Sequence, residues 1–146
     1  MSAALNCNIS FIGGGNMAQA LIGGLISRGL PPTRITVSDP VEKVRLLLTE
    51  KDVHVTDDNI AAIRDADIVL FAVKPQVLAS VLKPLKGLFE GKLVMSIVAG
   101  AEIATIANLL ETNRIVRVMP NTPALVQTGA HGLYATEAVN AQDREL

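Results

Sequence analysis

A strand pattern that runs directly into a glycine turn and then into a helix is the feature that most constrains this fold. Residues 9–12 are apolar except for Ser10, residues 13–15 are all glycine, and residues 17–28 are compatible with a helix, with Ala18 completing a GxGxxA pattern. The first glycine allows the tight turn, the third allows close approach of a pyrophosphate, and the alanine keeps the helix near the strand. The run predicts the phosphate-binding corner of a dinucleotide-binding βαβ unit. The alternative is a glycine turn that merely joins a strand to a helix.

The rest of the chain alternates between strand and helix patterns. Strands are predicted at residues 7–12, 35–38, 54–56, 68–73, 93–98 and 115–119, and helices at 17–28, 41–51, 59–64, 77–85 with an end or bend at Pro84, and 103–110. The fourth and fifth strands are continuous apolar runs, which is typical of parallel strands covered on both faces. We therefore predict an α/β fold, a doubly wound and mostly parallel Rossmann-type sheet with strand order 3-2-1-4-5-6. Residues 132–135 suggest a late strand.

Composition excludes several classes of function. The chain has 146 residues, 49% apolar content and a net charge of −1, so it can form a core and has no electrostatic signature of nucleic-acid or membrane binding. No apolar run is long enough to cross a bilayer, and the first residues lack the pattern of a signal peptide. We expect a cytoplasmic protein. Cys7 is the only cysteine, and burial is favoured over reactivity for it.

Ligands of a doubly wound sheet bind beyond the carboxyl ends of the strands. Asp39 follows the second strand, 21 residues after Ala18, where an acidic residue is expected to accept hydrogen bonds from a ribose 2′-hydroxyl. Such a carboxylate repels a 2′-phosphate and favours NADH over NADPH. Glu42, Lys43 and Arg45 fit a solvated helix face, but Lys43 or Arg45 within reach of a 2′-phosphate would allow either nucleotide.

Further candidates follow the later strands. Lys74, before the rigid Pro75, is placed to face a phosphate or carboxylate, and the alternative is a solvated lysine. Residues 98–101 form a small-residue turn that a planar ring can approach. Asn121 and Thr122 lie between two prolines, in a stiff loop that suits orientation of an amide or forms an ordinary turn.

Other polar residues give weaker signals. Asn59 is placed either to contact the adenosine side or to cap a helix. His54 and His131 have no acidic or cysteine partners at ligand spacing, so we predict neither a metal site nor a catalytic triad.

Four segments together resemble the successive signatures of pyrroline-5-carboxylate reductases. They are residues 11–18, 72–75, 96–100 and 119–124, and the Met-Pro-Asn-Thr-Pro run of the last segment is far more specific than the glycine motif. The resemblance spans about residues 8–146. It implies reduction of the cyclic imine of L-pyrroline-5-carboxylate to L-proline by hydride transfer from NAD(P)H.

The resemblance also implies cofactor-binding positions in this chain, and it assigns no catalytic residue to it. With the residues that end each strand, the expected cofactor-binding set is Ile12, Gly13, Gly14, Gly15, Asn16, Met17, Ser38, Asp39, Asn59, Ala72, Val73, Lys74, Pro75, Val98, Ala99, Asn121 and Thr122. The cofactor is NADP or NAD. The family usually favours NADPH, and many relatives have an uncharged residue where this chain has Asp39, so the preference of this chain stays open between the two.

Members of that family are roughly twice as long as this chain. The resemblance implies a C-terminal helical domain that builds a homo-oligomer and helps to hold the substrate carboxylate. We therefore expect residues 1–146 to be a truncated NAD(P)-binding domain that binds NAD(P)H weakly and is inactive alone.

Two alternatives remain open from sequence. One is another NADP-linked reductase of the β-hydroxyacid or phosphogluconate dehydrogenase type, against which residues 119–123 argue. The other is a non-catalytic nucleotide-sensing module.

Overall fold

The fold is a seven-stranded sheet with helices on both faces. It is seen in a computed structural model that describes residues 7–98, 100, 102–112, 114–119 and 132–135. The strands are β1 (Ile9–Ile12), β2 (Ile35–Ser38), β3 (His54–Thr56), β4 (Ile68–Phe71), β5 (Leu93–Ser96), β6 (Ile115–Met119) and β7 (Gly132–Ala135). The helices are α1 (Asn16–Ser27), α2 (Glu42–Thr49), α3 (Asn59–Ile63), α4 (Leu78–Leu82) and α5 (Ile103–Leu110).

The strand order is β3-β2-β1-β4-β5-β6-β7. Strands β1 to β6 are parallel, and β7 joins β6 antiparallel. The predicted order 3-2-1-4-5-6 and the mostly parallel character of the sheet are therefore confirmed. The order reverses beside β1, so the β1–α1 turn lies at the crevice where doubly wound sheets bind ligands.

Two apolar clusters, one on each face of the sheet, form the core. Helices α1 and α2 contribute Ala18, Ile22 and Leu48 to one cluster. Helices α3, α4 and α5 contribute to the other, in which Leu82 and Ile106 are fully buried. Because both faces of the central strands are covered, all four residues of β1 and of β4 are buried. The continuous apolar run of the fourth strand predicts this for β4.

Local sequence signals explain where two helices end. After α1, Gly29 has a φ of 105°, its N–H donates to the Ile26 carbonyl, and the Leu30 N–H donates to the Leu25 carbonyl. This is a Schellman motif, which requires a residue with positive φ. Helix α4 ends at Leu82 and continues as a 3₁₀ turn that contains Pro84.

Strands β4 and β5 end two residues earlier than the apolar runs predict, at Phe71 and Ser96. In β5 the reason is local, since the Ser96 hydroxyl accepts a hydrogen bond from the Val98 N–H and bends the chain away from the ladder. Among the described residues, no helix is long and apolar enough to cross a lipid bilayer.

Candidate dinucleotide-binding site

Gly13 makes the tight turn that the sequence predicts. Its φ is 103°, and a Cβ added here would lie 2.7 Å from the Ala72 carbonyl oxygen. Its N–H donates to the Ser38 carbonyl at 2.8 Å. Any side chain at this position would be strained by conformation and by contact with the backbone after β4.

Gly14 is required because the turn packs closely against a helix, which the glycine motif does not reveal. A Cβ here would lie 2.8 Å from Leu48 Cδ1 and 3.0 Å from Val44 Cγ1, so the turn packs directly on α2. The Gln19 side-chain amide also donates to the Gly14 carbonyl at 2.9 Å. The glycine repeat gives no sign of this packing, because α2 follows about thirty residues later.

Gly15 has neither of these explanations. Its φ is −71°, and a Cβ added to it would meet no protein atom within 4 Å. It is exposed and is the N-cap of α1, and no side chain there accepts a hydrogen bond from the first helical N–H groups. Open space beside uncapped N–H groups suits an anion that comes close to the backbone. The turn therefore fits a pyrophosphate, with Asn16 and Met17 as the first helical donors.

Asp39 lies next to this turn and is turned toward it. The residue is 9% exposed. One carboxylate oxygen accepts a hydrogen bond from the Gly14 N–H at 2.9 Å, and the other accepts from the Val41 N–H at 2.8 Å. The main-chain carbonyl of Asp39 accepts from Arg45 Nη1 at 2.7 Å. The carboxylate is therefore part of the architecture of the turn, and a contact with ribose stays a prediction.

Asn59 is held beside the end of β2. The Ser38 hydroxyl donates to Asn59 Oδ1 at 2.5 Å. The alternative that Asn59 caps its helix is wrong, because Asp58 is the N-cap and its carboxylate accepts from the Ile60 and Ala61 N–H groups. Asn59 is instead the first helical residue, and its amide faces the β2 edge.

The turn after β4 borders the glycine turn. Ala72 donates its N–H to the Ile12 carbonyl at 2.8 Å, and Val73 would contact a Cβ on Gly13 at 3.2 Å. Lys74 is exposed and precedes a 3₁₀ turn that begins at Pro75. After β5, Val98 is buried.

Several of the predicted residues contact one another beside the glycine turn. Gly13 meets Ser38, Ala72 and Val73, Gly14 meets Asp39, and Asn59 meets Ser38. Ala99, Asn121 and Thr122 lie outside the described residues, so their roles stay predictions. The arrangement offers backbone donors for phosphate, an amide beside β2 and an arginine near the position expected for the ribose.

Comparison with known proteins finds both a matching family model and similar enzymes. Residues 8–100 match the family model described as NADP oxidoreductase coenzyme F420-dependent. The pyrroline-5-carboxylate reductase of Pasteurella multocida is 44% identical over 145 residues, covering 95% of this chain and 53% of that protein. The solved structure of a pyrroline-5-carboxylate reductase from Coxiella burnetii matches with a TM-score of 0.89 at 40% identity, over 94% of this chain and 53% of that chain.

A relative with a nucleotide also matches. The crystal structure of pyrroline carboxylate reductase from Plasmodium falciparum with NADP bound gives a TM-score of 0.84 at 30% identity, over 96% of this chain and 52% of that chain. The resemblance found in the sequence is confirmed by these matches. This chain spans about half the length of the relatives.

Proposed function

Because this chain belongs to the family described as NADP oxidoreductase coenzyme F420-dependent, we propose that it is the cofactor-binding part of a pyrroline-5-carboxylate reductase. The proposal rests on the 44% identity to the Pasteurella multocida enzyme and on the open space at Gly15 beside the uncapped start of α1. The reaction adds a hydride to the imine carbon of pyrroline-5-carboxylate and a proton to the imine nitrogen, giving proline. The bound NAD(P)H supplies the hydride.

The residues of this chain bind the cofactor and orient it. Uncapped N–H groups at the start of α1 receive the pyrophosphate, and Gly15 leaves it space. Asn59, fixed by Ser38, offers its amide beside the adenosine half. The residues after β4 and β5, with Asn121 and Thr122, are proposed to border the nicotinamide half. No residue of this chain is assigned proton transfer, so its contribution to the rate is positioning.

We propose that the whole protein is cytoplasmic and that, as the resemblance implies, it is a homo-oligomer. The groups that hold the substrate carboxylate are proposed to come from a region equivalent to the half of the relatives that this chain does not match. Size-exclusion chromatography with light scattering tests the oligomer.

The experiment is imine-dependent oxidation of NADPH and NADH, followed by absorbance. It compares this chain with a chimera in which the remaining half of the Pasteurella multocida relative follows it. We expect turnover by the chimera and little or none by the chain alone. A Gly15→Ala chimera is the control, and it should lose turnover. A chimera that binds nucleotide but does not oxidise it in the presence of the imine would contradict the substrate assignment.

A further inference from the structure

In doubly wound folds, charged residues between the second strand and the next helix contact the part of the coenzyme that differs between NADP and NAD. In this chain they lie between β2 and α2. A carboxylate at the end of β2 normally accepts hydrogen bonds from the ribose 2′-hydroxyl, and it excludes a 2′-phosphate by charge repulsion. In this chain both carboxylate oxygens of Asp39 accept main-chain N–H groups, from Gly14 and Val41, and the residue is 9% exposed. The negative charge is therefore held by two main-chain N–H groups and is largely buried.

Arg45 supplies a positive charge at the same place. Its Nη1 donates to the Asp39 carbonyl at 2.7 Å, and the side chain is half-buried. A guanidinium has five N–H donors, and within the described part of the chain this is the one hydrogen bond that the Arg45 side chain makes. The anchored guanidinium therefore keeps donors for an anion, and its planar fork matches a phosphate.

The other charges near this position nearly balance. Glu42 and Lys43 are both exposed on the first turn of α2. Their opposite charges offset each other, and solvent screens both. Arg45 is thus the cation whose position is fixed by a contact to the residue that follows β2.

We propose that Arg45 recognises the 2′-phosphate of NADP(H), and that Asp39 supports the glycine turn and does not select against that phosphate. The inference rests on the proposed function, since it assigns the coenzyme of the same site. It makes this chain a binder of NADP(H) despite an acidic residue after β2.

The test is titration of the purified protein with NADP⁺ and with NAD⁺ by calorimetry. Arg45→Gln should weaken NADP⁺ binding about 10- to 100-fold, the loss of a charge-assisted contact to phosphate, and leave NAD⁺ binding within about twofold. Arg28→Gln removes the same charge from an exposed arginine at the far end of α1 and should change neither affinity. Equal weakening of both nucleotides by Arg45→Gln, or no change, would overturn the inference.

Asp39→Asn gives an independent test. An amide can replace only one of the two acceptor oxygens, so we expect affinity for both nucleotides to fall together, with their ratio within about twofold. A ratio that shifts about tenfold toward NADP⁺ would show that Asp39 selects by charge and would overturn the inference. If the unaltered protein binds neither nucleotide, the proposed function fails as well.

Discussion

Gly15 differs from the two glycines before it, because nothing in the described protein explains its lack of a side chain. Gly13 is set by its backbone conformation, and Gly14 by its contact with α2. At Gly15 the backbone is ordinary and the space around its Cα is open. A residue that folding does not require, placed at an uncapped helix start, points to a ligand as the reason.

Gly15→Ala should therefore separate stability from binding. We expect a loss of at most about 1 kcal/mol in the free energy of unfolding, because alanine is a poorer N-cap than glycine. Nucleotide affinity should fall at least about tenfold, because the methyl group occupies space that the pyrophosphate needs. Urea unfolding and nucleotide titration measure the two effects.

Gly23→Ala is the matched control for this variant. Gly23 lies within α1 and also has open space around its Cα. Alanine here should stabilise the protein by up to about 1 kcal/mol and leave nucleotide affinity unchanged. Equal nucleotide affinity in Gly15→Ala and the unaltered protein would refute the assignment of the phosphate to this turn.

At the scale of elements, α3 is a short helix whose beginning fixes part of the site. It has five residues, so its own hydrogen bonds give little stability and its cap and its packing matter more. Asp58 accepts hydrogen bonds from the N–H groups of Ile60 and Ala61 at 3.0 and 3.2 Å. This cap sets the orientation of Asn59, whose side chain meets Ser38 at the end of β2.

Asp58→Ala should lower the free energy of unfolding by about 1 kcal/mol, the usual cost of losing an N-cap. Asp57→Ala is the neighbouring control, and this exposed residue should give a change within about 0.5 kcal/mol. Urea unfolding followed by circular dichroism measures both. Similar destabilisation by the two variants would mean that loss of negative charge, and not loss of the cap, is responsible.

At the scale of the whole molecule, one sheet joins two separate apolar clusters. Ile22 of α1 and Ile106 of α5 are both fully buried, and they lie on opposite faces. The strands between them contribute side chains alternately to the two clusters. Loss of either cluster would leave one face of the same strands uncovered, so the two faces should unfold together.

Ile22→Val and Ile106→Val form a matched pair that tests this. Each should cost about 1 kcal/mol, and the costs should add in the double variant because the two sites share no contact. All three variants should keep one unfolding transition in urea with an unchanged slope. Two transitions, or a reduced slope in one variant, would show that the faces unfold separately.

Local signals predicted the sheet well. The parallel order follows from alternating strands and helices, and Gly29 and Pro84 marked two helix ends correctly. The ends of β4 and β5 were misplaced by two residues because apolar character continues past the last ladder contact. In β5 a side-chain acceptor, Ser96, decides the end, and a hydrophobic run does not contain that information.

The contacts around the glycine turn were predicted only in outline. No local pattern indicates that Gly14 packs on α2, since that contact joins residues far apart along the chain. The sequence places Asp39 directly after β2, as the structure does, but the direction of its carboxylate depends on competing donors from Gly14 and Val41. It also left Asn59 as a candidate cap, although the neighbouring Asp58 satisfies the helix start.

Helix α2 supports the glycine turn and also carries the residue proposed to select the coenzyme. Protein redesign would need to vary these two properties separately. Its Leu48 lies under Gly14, and its Arg45 is bonded to Asp39 beside the same turn. A graft of this helix from a homologue with the opposite coenzyme preference would carry both along. The grafted helix would bring the homologue's charged side chain and also a different surface beneath the glycine turn. Exchange of single side chains on the outer face of the helix is therefore the safer route to redesign, because it leaves the support of the loop in place.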